Sequence, residues 1–242
     1  MAGAVVDTPS AQDFQREIAG RINADELAAI AADLDRKSGA LQELLGPGER
    51  PGRAALRQVL RWVFATRRRA DAILDAAGPE RLGAAVAALL DPGEPVTARF
   101  DRFDAFAAGL PGAGYDLAGE LLHFTDPGRY WLWTRWLWDP DTETGALRLV
   151  TTDDIDLAGG ATRGEIYLTV GRATAFLDET GKAAGFTGAG PGLFGTDVFL
   201  AAVYGVYMFT VLRMRMTQEF TRLVPPLPDL IRRLLGVYHL EE

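Results

Sequence analysis

The sequence predicts a mostly α-helical, compact multi-helix fold with at most a minor strand pair. Three observations carry the prediction. Apolar residues recur three and four positions apart along most of the 242 residues. Proline- and glycine-rich breaks fall at the ends of these periodic stretches. Only two short apolar pieces, residues 146–150 and 155–157, sit among turn residues in a way that suggests strand.

The elements follow in order. Residues 1–10 read as a flexible N-terminal lead-in, and residues 11–242 as a single helical domain. Residues 11–22 predict a short helix, with Phe14, Ile18 and Ile22 on one face. Residues 24–45 predict a longer one. Asn23 is placed to cap it, with Glu26 three residues on, and Asp25 and Glu26 suit the positive end of the helix dipole. Gly46-Pro47-Gly48 ends it. Residues 53–77 carry an apolar stripe (Leu56, Val59, Leu60, Val63, Phe64, then Ile73 and Leu74) that breaks near Arg67-Arg68-Arg69. Helices follow over 79–90, opened by Pro79 where a missing N–H does no harm, over 95–110, and over 115–124. The run 130–138 is dense in aromatics, and on a helix its tryptophans would spread over more than one face. Residues 165–177, 198–216 and 229–235 complete the set. The loop 181–195, with its six glycines, marks where two lobes would divide.

Composition narrows the chemistry. The chain has no cysteine, which excludes disulfides, thiolate metal sites and cysteine nucleophiles. Serine occurs only at Ser10 and Ser38, and histidine only at His123 and His239, so a serine–histidine–acid triad has almost no material. Lysine occurs only at Lys37 and Lys182. The opening residues lack a basic stretch followed by an apolar one, so a cytoplasmic location is expected. A net charge of −8 disfavours nucleic acid as a general partner. The uncharged run 198–212 has 15 residues, short of the roughly 20 that a spanning helix needs, so a membrane partner is not expected either.

One segment resembles a known motif. Leu110-Pro111-Gly112-Ala113-Gly114, with Ala118 four residues on, resembles the helix–hairpin–helix turn of the base-excision DNA glycosylase superfamily. The following Leu122-His123-Phe124 and Asp126-Pro127-Gly128-Arg129-Tyr130 are similar to the stretch after that hairpin. The resemblance implies a sharp glycine turn whose amides approach a phosphate, with Gly112, Gly114 and the basic Arg67, Arg68 and Arg69 as its contacts. It does not imply glycosylase chemistry. The family's catalytic lysine position is Asp116 here, and its catalytic aspartate falls on Thr134 or, with a one-residue shift, Arg135.

The remaining candidates are aromatic. Tyr130, Trp131, Trp133, Trp136 and Trp138, with His123, are expected to form a ligand or partner surface, because exposed aromatic patches mark interfaces. The acidic run from Asp139 to Asp156 lacks the residue order of a calcium loop. No catalytic residue, cofactor or metal is assigned. The leading expectation is a non-catalytic helical binding or accessory protein, with a protein partner or a second copy of the chain. The alternatives are a degenerate helix–hairpin–helix protein binding nucleic acid, and an enzyme of unspecified reaction with a pocket around His123, Trp133 and Tyr167.

Overall fold

The structure is a computed structural model that describes residues 5–46, 51–186, 192–215 and 225–238. The protein is mostly helical. In chain order the helices are α1 (Thr8–Ala19), α2 (Ala24–Leu45), α3 (Arg53–Trp62), α4 (Ala70–Ala77), α5 (Pro79–Leu90), α6 (Val96–Ala107), α7 (Tyr115–Thr125), α8 (Arg163–Ala184), α9 (Gly195–Arg215) and α10 (Leu227–Leu234). Short 3-10 turns occupy Arg67–Arg69 and Leu147–Leu149.

Local chemistry explains most of the boundaries. Asp7 starts α1: its carboxylate accepts the Ser10 amide at 3.2 Å and the Ser10 hydroxyl at 2.6 Å. Val6 bridges to Thr151, and the Asp7 amide donates to the Val150 carbonyl. From Val5 onward, then, the expected flexible lead-in is a tethered segment, while residues 1–4 lie outside the described residues. Asn23 caps α2 as the sequence predicts, its side-chain oxygen accepting the Glu26 amide at 2.8 Å. Gly78, at φ +76°, turns the chain between α4 and α5 in a conformation a side chain would strain.

Two expectations about secondary structure are corrected. The strand expected over residues 146–150 is a 3-10 turn, and the described residues hold only two isolated bridges, Val6 with Thr151 and Asp139 with Thr144. The second bridge closes a tight turn under which the Ala146 and Leu147 amides donate to the carbonyls of Trp136 and Leu137. Residues 130–138 are irregular. The loop expected from residue 181 begins later, because α8 runs on to Ala184; residues 187–191 of that loop, and with them Gly188 and Gly190, lie outside the described residues. So do Pro47 and Gly48 after α2, and His239.

The chain forms two compact units, each assembled from separated stretches. Unit 1 comprises the described residues of 5–34, 136–155 and 173–238. Its centre is α9, whose Val198, Leu200, Ala201, Ala202 and Val203 are buried, and α1 and α10 pack on it. Leu227 of α10 lies against Gly205, where a Cβ would displace the Leu227 Cδ1. Arg232 of α10 pairs with Asp33 at 3.2 Å. No helix among the described residues is long and apolar enough to cross a membrane.

Unit 2 comprises the described residues of 35–135 and 156–172. Here α5 packs on α4, α6 and α7, α3 packs on α4 and α5, and α6 packs on α7. The core is built on aromatic rings. Trp133 stacks on Tyr115 at 4.3 Å and Phe100 at 5.5 Å, and Phe100 stacks on Tyr167 at 4.8 Å. Gly119 on α7 admits the backbone of Trp133: any Cβ there would collide with the Trp133 carbonyl oxygen.

Candidate functional site

The aromatic surface expected at residues 130–138 is largely interior. Trp133, Trp136 and Trp138 are buried, while Tyr130 and Trp131 are half-exposed. The physical reason is the irregular backbone. Without a helix, the spacing of the tryptophans does not set their faces, and each ring follows its own local path inward. In unit 1 Trp136 meets Tyr204 at 6.3 Å between ring centroids.

The pocket expected around His123, Trp133 and Tyr167 is packed core. All three are buried. The Nδ1 of His123 lies 2.8 Å from the Tyr130 carbonyl oxygen, the geometry of an N–H donating to it. Tyr167 donates its hydroxyl to the Trp131 carbonyl at 3.0 Å, and burial pushes the phenol pKa well above its ordinary value. These bonds fix the path of residues 130 and 131.

What unit 2 offers instead is a concave cavity of about 620 Å³, on the scale of a small-molecule site. Its apolar walls are Leu45 of α2, Pro51, Val86, Ala87 and Leu90 of α5, and Pro92. Among the described residues its polar lining is Gln42, Asp91, Thr125, Asp126, Arg129 and Tyr130. Tyr130 is the one member of the predicted aromatic set that lines it.

The cavity is built from three fixed pieces. The first is the turn after α7, where the Asp126 carbonyl accepts the amides of Arg129 and Tyr130, both at 3.1 Å. The Pro127-Gly128 pair suits this reversal. The second is Arg99 of α6, which is buried. Its guanidinium donates to the carbonyls of Leu89 and Glu94 and, at 2.8 Å, to the Tyr130 hydroxyl. One side chain thus ties the end of α5 to the residue facing the cavity. The third is a buried clamp between α2 and α7. Lys37 pairs with Glu120 at 2.6 Å, with its ammonium 4.0 Å from the Phe124 ring centre, and Ser38 donates to the Phe124 carbonyl at 2.8 Å. Burial raises the Glu120 carboxyl above its ordinary range; Lys37 opposes that shift and Asp116 adds to it.

The predicted phosphate contacts come together in part. Gly112 has φ +74° and lies against the guanidinium of Arg69. Arg67 lies over the Phe64 ring at 4.8 Å, and Arg68 is exposed. Two arginines that sequence reasoning missed also reach this turn. Arg135 approaches Gly114 and pairs with Asp116 at 3.1 Å. Arg163 and Arg135 lie 5.2 and 5.5 Å from the Tyr115 ring centre, at the start of α7. Nothing in their local sequence marks them, since they come from distant stretches of chain.

No family model, curated protein or solved structure matches this chain.

Proposed function

We propose that this chain is a non-catalytic helical binding or accessory protein that takes a small, largely apolar ligand into the cavity lined by Tyr130. The observation that carries the reading is the cavity itself: about 620 Å³ of concave space with aliphatic walls and a few polar groups on rigid elements. Two further features support binding rather than chemistry. The imidazole of His123 is held in the core by a backbone carbonyl, and Lys37 is committed to Glu120. The aromatic reading survives in reduced form, with Tyr130 as its cavity-facing residue.

The test is occlusion. Ala87 is exposed on α5 and lines the cavity, so Ala87→Trp fills it with little effect on the core. Wild type is expected to bind an environment-sensitive apolar fluorophore, and Ala87→Trp to lose at least tenfold in affinity with its melting temperature unchanged. Equal binding by both proteins refutes the site. A protein partner or a second copy of the chain is the competing occupant, and a solution mass above the monomer that Ala87→Trp abolishes would favour it.

A second reading has a specific observation behind it. Arg69, Arg135 and Arg163 converge on the Gly112–Tyr115 turn, which supports contact with an anion such as a nucleic-acid phosphate. It is nucleic-acid binding without glycosylase chemistry, since Asp116 and Thr134 replace the family's reactive residues.

A further inference from the structure

The polar lining of the cavity divides by burial. Gln42, Asp91, Asp126 and Arg129 are exposed, and the charges among them carry both signs, so they stay hydrated at the rim and select no ligand charge. Thr125 and Tyr130 are half-buried, and their hydroxyls differ. Thr125 donates its proton within α7, to the Leu121 carbonyl at 2.6 Å. The Tyr130 oxygen instead accepts from Arg99 at 2.8 Å. A guanidinium has donors only, so the phenol proton points away from it. Arg99 is buried behind the wall and does not line the cavity, so the side of the hydroxyl away from it is the cavity side. Its other donors hold the Leu89 and Glu94 carbonyls, which flank the wall of Leu90, Asp91 and Pro92 and set the hydroxyl beside it. Among the described residues no acceptor takes the Tyr130 proton.

We propose that Tyr130 is the specificity-determining residue of this cavity, and that its ligand is an apolar molecule bearing a carbonyl oxygen, as in a ketone, ester or amide, that accepts the Tyr130 proton. This rests on the binding reading proposed above for the same cavity. Solvent satisfies the proton while the cavity is empty. A ligand that fills the cavity displaces that solvent, and one without an acceptor strands a half-buried donor. The guanidinium behind the hydroxyl sharpens the selection, because donation to the phenol oxygen polarises the O–H and strengthens it as a donor. A carbonyl supplies an acceptor and no charge. It therefore avoids the cost of setting an ionised group against Leu45, Val86 and Leu90.

The experiment displaces a bound apolar fluorophore from the full chain with two probes of one shape: 4-phenylbutan-2-one, and (3-methylbutyl)benzene, which carries a methyl group in place of the carbonyl oxygen. Tyr130→Phe, Arg129→Met and Ala87→Trp are titrated in parallel. Tyr130→Phe is expected to weaken the ketone about fivefold, the net contribution of one hydrogen bond, and to leave the hydrocarbon unchanged. The infrared carbonyl stretch of the bound ketone reads the same bond in the wild-type chain. It should lie below its position in hexane, keep that shift in Arg129→Met and lose it in Tyr130→Phe. A wild-type stretch at the hexane position overturns the assignment, as does a shift lost in Arg129→Met but kept in Tyr130→Phe, or a Tyr130→Phe effect equal for the two probes. In those cases loss of all binding in Ala87→Trp still leaves the cavity as a site. If neither probe binds, the cavity reading itself falls, and the carbonyl class with it.

Discussion

At the scale of single residues, the Lys37–Glu120 pair has the clearest energetic consequence. Both side chains are buried, so each charge depends on the other for what water no longer supplies. Burial holds the Glu120 carboxyl above its ordinary value of 4.5, so the native state takes up a proton more readily than the unfolded chain does. A raised acid stabilises most below its unfolded pKa, and that contribution is lost as pH rises through the folded pKa. Lys37→Met removes the opposing cation and pushes Glu120 higher still. The variant is expected to cost about 3–5 kcal/mol at pH 8 and clearly less at pH 5, where the carboxyl can be neutral. Urea titrations at the two pH values check this; a penalty independent of pH would contradict it. Lys37 has no distinction in the sequence beyond rarity, because its partner lies 83 positions away. Gly119 is equally silent: it sits inside a regular helical pattern, and only the close passage of Trp133 explains it.

At the scale of elements, helix positions are legible wherever local chemistry sets them. Asn23 caps α2 through Glu26, and Pro79 opens α5 at the predicted residue. The start of α1 escapes the apolar spacing because Asp7 and Ser10 cap it before that spacing begins. The tryptophan segment escapes for a different reason. Its faces are set by tertiary bonds, such as the donation of Tyr167 to Trp131, which no local period reports. Of the cavity, Tyr130 and its turn are legible, while the α5 wall and Arg99 are not. Arg99 joins α5, α6 and Tyr130, so its loss should be felt in all three. Arg99→Met leaves buried carbonyl acceptors without donors and is expected to cost about 2–4 kcal/mol. It should also weaken binding of the apolar fluorophore as Tyr130 loosens. Denaturant melts and the fluorescence titration check both; Arg99→Lys, which restores charge and one bond, should fall between.

At the scale of the whole molecule, composition is informative and topology is not. The helical class follows from periodicity spread over the chain. The two units do not follow, because each combines stretches far apart in sequence. Net charge bears on the nucleic-acid reading. A chain at −8 has no general attraction for a phosphate backbone, so any binding must be local to the arginines around Gly112. Short duplex DNA is therefore expected to bind weakly, with an affinity falling steeply from about 50 to about 200 mM salt. Arg69→Glu should lower the salt slope by about one phosphate contact. Binding that is unchanged by Arg69→Glu, or insensitive to salt, would remove that reading.

The scarcity of lysine has a practical side. Of the two lysines, Lys37 is fully enclosed and Lys182 is largely exposed. An amine-directed dye added to the native protein should therefore mark Lys182 and leave Lys37 untouched. A label on Lys37, appearing slowly, would time the opening of the interior around Glu120 and so act as a chemical clock for that region without any engineered reporter.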